Sequence, residues 1–268
     1  MASPVRQTGK KLIKMTLSIN TDAAELINGD GSSPVLLLCE HASRRIPAKY
    51  EGLGLSEADR DSHAAWDPGA YDLGCVLSEA LDAPFLAGCV SRLVYDCNRP
   101  PEAASAIPEK SERIEVPGNR DLPQDARDAR AREVYQPFCK AVDCVLEQIG
   151  PSAVLVTIHS FTPVFHGMPR SVELGILHDA DSRLADAMLH HANLIPHRVV
   201  ARNEPYGPED GVTHSLKLHG LSRGLANVMI EVRNDLLRTP EDIHRLAQEL
   251  LLPLRSALEH LAMEENAS

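Results

Sequence analysis

Apolar residues in this chain gather into short unbroken runs, and three of those runs end on polar side chains able to do chemistry. The run from Pro34 to Cys39 leads into Glu40 and His41, that from Ala153 to Ile158 into His159 and Ser160, and that from Ala226 to Ile230 into Glu231, Val232 and Arg233. β-Branched and leucine-rich runs of this length without alternation predict strands buried on both faces. Further strands are predicted at 84–90, 93–97, 172–177 and 197–201. Asp67-Pro68-Gly69-Ala70 opens a helix to Leu81, with Asp67 as N-cap and Pro68 at the first helical position. Val134, Phe138, Val142, Val145 and Ile149 recur at helical spacing over 125–149, with a kink expected at Pro137. Helices are also predicted at 182–192 and 214–221. A final one begins at Thr239-Pro240-Glu241-Asp242 and runs to about Met263, bending at Pro253.

Strands that alternate with helices in this way predict one α/β domain with a mixed or mainly parallel sheet. Residues 1–30 are polar with little periodicity and read as a lead-in, 31–263 as a single α/β domain, and 264–268 as a tail. The proline-rich, charged stretch 98–123 is too long for an ordinary connection and reads as a functional or mobile loop.

Composition narrows the function classes. The 268 residues carry a formal net charge of −11, which argues against a nucleic-acid or anionic-membrane surface. Hydrophobic residues make up 43% and aromatics 4%, so aliphatic packing dominates the expected core. Six cysteines without a C-x-x-C pair fit a reduced, cytoplasmic protein, and no apolar stretch reaches the length of a membrane span.

In an open parallel sheet, ligands bind beside the carboxyl ends of the strands. His41 and His159 therefore stand as metal-ligand candidates, against the plainer role of strand-end histidines that cap loops. Glu231 interrupts an apolar strand and is either an ion-pair partner of Arg233 or a general base whose pKa burial raises. Glu40 and His41 point to opposite faces unless the strand has already ended. Arg92 and Asn98 share strand parity and reach one pocket if that strand continues; otherwise the arginine is an edge-strand surface residue. Asp61, His63 and Asp67 each offer a third ligand, with the N-cap role competing for Asp67. Glu204, Tyr206, His214 and His219, together with His166 and Arg170, lie in loops able to wall a pocket. Ser160 lacks a G-x-S-x-G context, and no phosphate-binding glycine motif is present.

Five segments taken in order resemble the N-formylglutamate amidohydrolase family: Cys39-Glu40-His41-Ala42-Ser43, Trp66-Asp67-Pro68-Gly69-Ala70, Ser91 to Pro100, Ile158-His159-Ser160-Phe161 and Ile230-Glu231-Val232-Arg233. Three of them are also similar to motifs of zinc carboxypeptidases and aspartoacylases. That resemblance implies a three-layer, phosphorylase/hydrolase-like α/β sandwich with a mixed, mainly parallel central sheet, and a small anionic, amino-acid-derived substrate. It implies Zn²⁺ (or another divalent ion) on His41, His159 and Asp67, with His63 as the alternative third ligand. One departure stands out: carboxypeptidases place an acid three residues after the first histidine, where this chain has Arg44.

The resemblance further implies Glu231 as general base, Arg92 as oxyanion stabiliser, and Asn98 and Arg99 at the substrate α-carboxylate. Arg170 or Arg44 would meet an acidic substrate side chain, and His214 would line the substrate pocket. Two rival functions remain: a metal-dependent hydrolase of a different N-acyl or peptide-like amide, and a metal-free protein that binds small carboxylates.

Overall fold

Residues 35–39 explain why the sheet forms where it does. Val35, Leu37 and Cys39 enter one apolar layer, Leu36 and Leu38 enter another, and all five are buried. The computed structural model describes residues 17–267. Along the chain come β1 (Ala24–Ile27), β2 (Val35–Cys39) and β3 (Phe85–Gly88), then a small hairpin of β4 (Lys110–Ser111) and β5 (Ile114–Glu115). After these follow β6 (Val154–Phe161), a second hairpin of β7 (Val164–Phe165) and β8 (Met168–Pro169), then β9 (Leu174–Leu177), β10 (Val200–Arg202) and β11 (Asn227–Arg233).

Seven strands form the central sheet in the order β1-β3-β2-β6-β11-β9-β10. The pairs β2–β3, β2–β6, β6–β11 and β9–β10 are parallel, whereas β1–β3 and β9–β11 are antiparallel. The helices are α1 (Glu57–Asp61), α2 (Ala70–Leu81), α3 (Gln124–Arg130), α4 (Gln136–Ile149), α5 (Arg183–His190) and α6 (Pro240–Ala267). Apolar positions of α2, α5 and α6 pack on one face of the sheet, and those of α4 pack on the other. The α/β sandwich expected from the sequence is therefore what forms. From β2 the chain goes to β3 on one side and later to β6 on the other. The β2–β6 seam is thus a topological switch point, where open α/β sheets bind ligands.

Several local expectations change. No strand forms at 93–97, because polar side chains capture the backbone there. Ser91 Oγ accepts from the Leu93 amide at 3.2 Å, and Asp96 Oδ1 accepts from the Asn98 amide at 2.9 Å. The parity argument for Arg92 and Asn98 lapses with that strand. Pro137 does not kink an isolated helix: α3 and α4 are joined by a π-helical turn, Ala131–Tyr135, that absorbs its missing donor. β1 lies within the stretch read as a lead-in and pairs with β3, while residues 1–16 of that stretch lie outside the described residues. The last helix continues past Met263 to Ala267, and Thr239 Oγ1 caps it by accepting from the Asp242 amide at 3.1 Å.

The stretch 98–123 is tied down. Buried Arg130 donates to the carbonyls of Val94 and Gly118 and to Asn119 Oδ1, and Asn119 in turn donates to the carbonyls of Leu93 and Pro108. All six cysteines are free. Among the described residues, no helix is long and apolar enough to cross a membrane.

Candidate active site

Strand parity builds the site. Along β6 and β11, Leu155 and Met229 face the layer that contains α4. His159 and Glu231 share that parity and lie opposite one another in the parallel register. Their side chains emerge on the same face, Glu231 two residues beyond Met229 and His159 two beyond the buried Thr157. β2 has already ended at Cys39, so strand alternation does not separate Glu40 from His41. Both are buried, and both reach the same cluster.

The second link comes from the start of α2. Gly69, not Asp67, is the N-cap residue, and the Asp67 carboxylate turns inward instead of capping the helix. Its backbone N–H donates to the His41 carbonyl at 2.9 Å, which pins the segment. Asp67 Oδ2 then lies 3.2 Å from His41 Nδ1 and 2.9 Å from His159 Nδ1. One donor atom from each of His41, Asp67 and His159 fits within 4.8 Å of the others, and all three residues are buried. Each imidazole meets a second carboxylate on its far nitrogen: Asp96 Oδ1 at 2.8 Å from His41 Nε2, and Glu40 Oε2 at 3.2 Å from His159 Nε2. The Arg92 guanidinium bridges Asp96 Oδ2 at 2.8 Å and Asp67 Oδ1 at 3.4 Å.

These contacts set the charges. Burial would push the Asp67 carboxyl up, but the facing histidines hold it well below the usual range. Burial also opposes ionisation of Asp96, and His41 and Arg92 outweigh it. Desolvation disfavours both imidazolium forms, yet the surrounding carboxylates raise His41 and raise His159 further. Glu231 behaves differently. Burial raises its pKa to about 7, and its Oε2 has no hydrogen-bond partner among the described residues. The ion pair with Arg233 does not form: Arg233 bonds Asp235 at 2.7 Å and the Arg170 carbonyl at 3.1 Å.

A cavity of about 700 Å³ opens over this cluster and is lined by His41, Asp67, Arg92, His159, Arg170 and Glu231 among others. Arg170 forms one wall, with its guanidinium over the rings of Phe161, Phe165 and Tyr206 and 2.9 Å from the Tyr206 hydroxyl. Arg99 lines the cavity too and donates to the Asn98 carbonyl at 2.8 Å. The Asn98 amide is committed elsewhere, donating to the Val212 carbonyl at 2.6 Å and accepting from the Ser215 amide at 3.0 Å.

The remaining sequence candidates sit outside the cluster. His63 lines the cavity but pairs with Glu112 at 2.7 Å, on the turn between β4 and β5. Arg44 pairs with exposed Asp61 and stacks on Trp66, away from the cavity lining. His214 is held 2.7 Å from the Tyr135 hydroxyl, and burial lowers its pKa; it does not line the cavity either. Glu40 and Asp96 are members of the cluster to which sequence reasoning assigned no role. Their signal was present in an acid directly beside His41 and another two residues before Asn98, but strand parity sent Glu40 to the opposite face.

The donor set suits a divalent cation. Two imidazoles and a carboxylate are ordinary ligands for zinc and its neighbours, and a carboxylate behind each imidazole is the usual support for such ligands. Enclosing two histidines among Asp67, Asp96, Glu40 and Glu231 also concentrates negative charge that a cation would balance.

By fold the molecule is an α/β sandwich, and the family whose model it matches makes it a hydrolase. More narrowly, the chain belongs to the N-formylglutamate amidohydrolase family, whose model matches residues 33–238. It is similar to a gene product of Agrobacterium tumefaciens of known crystal structure, with a TM-score of 0.87 and 51% identity over 90% of this chain and 96% of that one. It is also similar to the crystal structure of N-formylglutamate amidohydrolase from Ralstonia eutropha, with a TM-score of 0.63 and 18% identity over 88% and 97% of the two chains. At that lower identity the likeness speaks to the fold. No curated protein matches the chain.

Proposed function

We propose that the protein is a metal-dependent amidohydrolase that cleaves an N-acyl amino acid, N-formyl-L-glutamate foremost, into formate and glutamate. The observation that carries this reading is the convergence of His41, Asp67 and His159 in one cavity with Glu231, whose Oε2 has no hydrogen-bond partner among the described residues. A divalent cation, zinc foremost, would be held by those three residues and would supply Lewis acidity, polarising the acyl carbonyl and acidifying water.

The chain's own residues do the rest. Glu231, with a pKa raised by burial to about 7, is suited to take a proton from the attacking water and pass it to the departing amine nitrogen. Arg92, fixed by Asp67 and Asp96, presents its guanidinium to the oxygen that gains charge when the carbonyl is attacked. Arg99 meets the α-carboxylate, while Asn98 holds the loop at 212–215 that borders it. Arg170 meets the side-chain carboxylate, and its aromatic packing fixes the planar fork before substrate arrives.

The test is metal content of protein purified without added zinc, followed by amine release from N-formyl, N-acetyl and N-carbamoyl amino acids. About one bound divalent ion per chain and preference for N-formylglutamate are expected. A stoichiometry near zero with retained carboxylate binding would replace the enzyme by a binding protein; preference for another acyl group would move the substrate only. Arg170→Ala should raise KM for N-formylglutamate about tenfold or more, while leaving N-formylalanine almost unchanged. Equal losses on both substrates would remove Arg170 from side-chain recognition.

A further inference from the structure

We propose that Glu40 and Asp96 are positioning residues that hold the Nε2 protons of His159 and His41, so that both rings present Nδ1 to the ion. The proposal rests on the metal-dependent reading above. In both histidines the Nδ1 atom faces Asp67 Oδ2 and the Nε2 atom faces a different carboxylate.

The two supports are built differently. Asp96 is saturated: its Oδ1 takes His41 Nε2 and the Asn98 amide, and its Oδ2 takes Arg92. Glu40 is not. Both of its oxygens are enclosed without a well-aligned hydrogen bond among the described residues, and the groups that face them are the Ser215 hydroxyl and His159 Nε2, the latter 3.2 Å away. That carboxylate is the acceptor that a proton on Nε2 would meet, as is usual behind a ligating histidine. An imidazole protonated at Nε2 keeps its lone pair at Nδ1, which is the atom turned towards Asp67 and His41.

The fold supplies Glu40 at that place deliberately. Its backbone lies against Gly88 of β3, where an added Cβ would come within 2.3 Å of the Glu40 carbonyl oxygen. Adjacent residues on the β2 end thus split the work: His41 is a ligand, and Glu40 supports the ligand delivered by β6.

The test uses the full chain, stripped with a chelator and titrated with Zn²⁺ against a chromophoric competitor. Glu40→Gln keeps shape and an acceptor while removing the charge, and should weaken Zn²⁺ binding about 10- to 100-fold; Glu40→Ala should weaken it at least as much. Nitrogen-15 spectra of the zinc-loaded wild type, which need no variant to fold, should show His159 bound through Nδ1 with a proton on Nε2. In folded Glu40→Gln that Nε2 proton should shift. His159 bound through Nε2, or affinities of both variants within twofold of wild type, would overturn the proposal and leave the metal site standing. Absence of Zn²⁺ binding by the wild type would overturn the metal-dependent reading and this proposal together.

Discussion

Glu231 sits where ionisation is costly, and that cost can be measured. Its carboxyl is displaced from 4.5 to about 7 by burial, a difference equivalent to about 3 kcal/mol. A raised carboxyl pKa means the folded state holds its proton more tightly than the unfolded chain does. Stability is therefore lost as pH rises from about 4.5 through about 7. In the metal-free protein, Glu231→Gln should be more stable than wild type at pH ~8 by up to about 3 kcal/mol, with no gain below pH ~4.5. Urea unfolding at the two pH values checks this, and an equal difference at both would refute the displaced pKa. The same variant should retain zinc but lose about two or more orders of magnitude in turnover, the usual loss for a general base. Turnover near that of wild type would end the base assignment. His41, His159 and Glu231, which line one cavity, were legible as candidate residues because polar side chains at the ends of apolar runs are costly without a purpose. Glu40 was not, since the rule of alternating faces holds only inside a strand and β2 stops one residue earlier.

At the scale of elements, the sheet edge beyond β11 depends on an arginine strap. Arg198 reaches Glu249 of α6 through two bonds of 2.6 and 3.2 Å and Glu173 at 3.3 Å, and Glu173 also accepts from the Val199 amide at 2.9 Å. The Arg198 side chain is only 11% exposed, so the pair is more than a solvated surface contact. Arg198→Ala should cost about 1–3 kcal/mol in chemical denaturation at neutral pH. Burial would raise Glu249 and its bonds to Arg198 lower it, so this contribution is present above pH 4.5 and fades as pH falls through the lowered pKa. The gap between variant and wild type should narrow on acidification; a constant gap would assign the loss to packing. A second element-level device is Gly175, where a Cβ would lie 2.1 Å from the Glu204 carbonyl oxygen and 3.1 Å from Glu231 Cβ. Gly175→Ala should displace the segment leading to Tyr206 and raise KM without loss of zinc; unchanged KM would show that the segment yields freely. The buried strands and the capped helix α6 were readable because periodicity and capping are local. β1 was not, because a four-residue edge strand that is mostly half-buried carries no apolar run. The region 93–97 misled for the opposite reason: its pattern was right for a strand, but Ser91 and Asp96 satisfied the backbone first.

For the molecule as a whole, the cluster joins segments distant in sequence, since His41 follows β2, Asp67 precedes α2 and His159 belongs to β6. An ion shared by the three would bind the folded state and not the unfolded chain. At a free concentration about 1,000 times Kd it would add about 4 kcal/mol, or about 10 °C in Tm for a chain of this size. The benefit should depend on pH. In the metal-free protein, carboxylates raise the pKa of His41 and of His159, despite burial. Groups raised in this way stabilise the fold fully below the unfolded value of about 6.5, and that contribution is lost as pH rises through their folded values. Raising the pH therefore removes the positive charge that balances Asp67, Glu40 and Asp96, in a chain already at a formal −11. A cation at the two Nδ1 atoms competes with protons, so its affinity and its stabilisation should both grow over the same range. Thermal unfolding with and without a chelator should show a small difference at pH ~6 and a larger one at pH ~9, restored by stoichiometric Zn²⁺. If Zn²⁺ raised Tm equally at both pH values, the ion would not be replacing those protons and would have to bind elsewhere; if it raised Tm at neither, the cluster would hold no ion, and the fold would be a carboxylate-binding scaffold built on Arg92, Arg99 and Arg170.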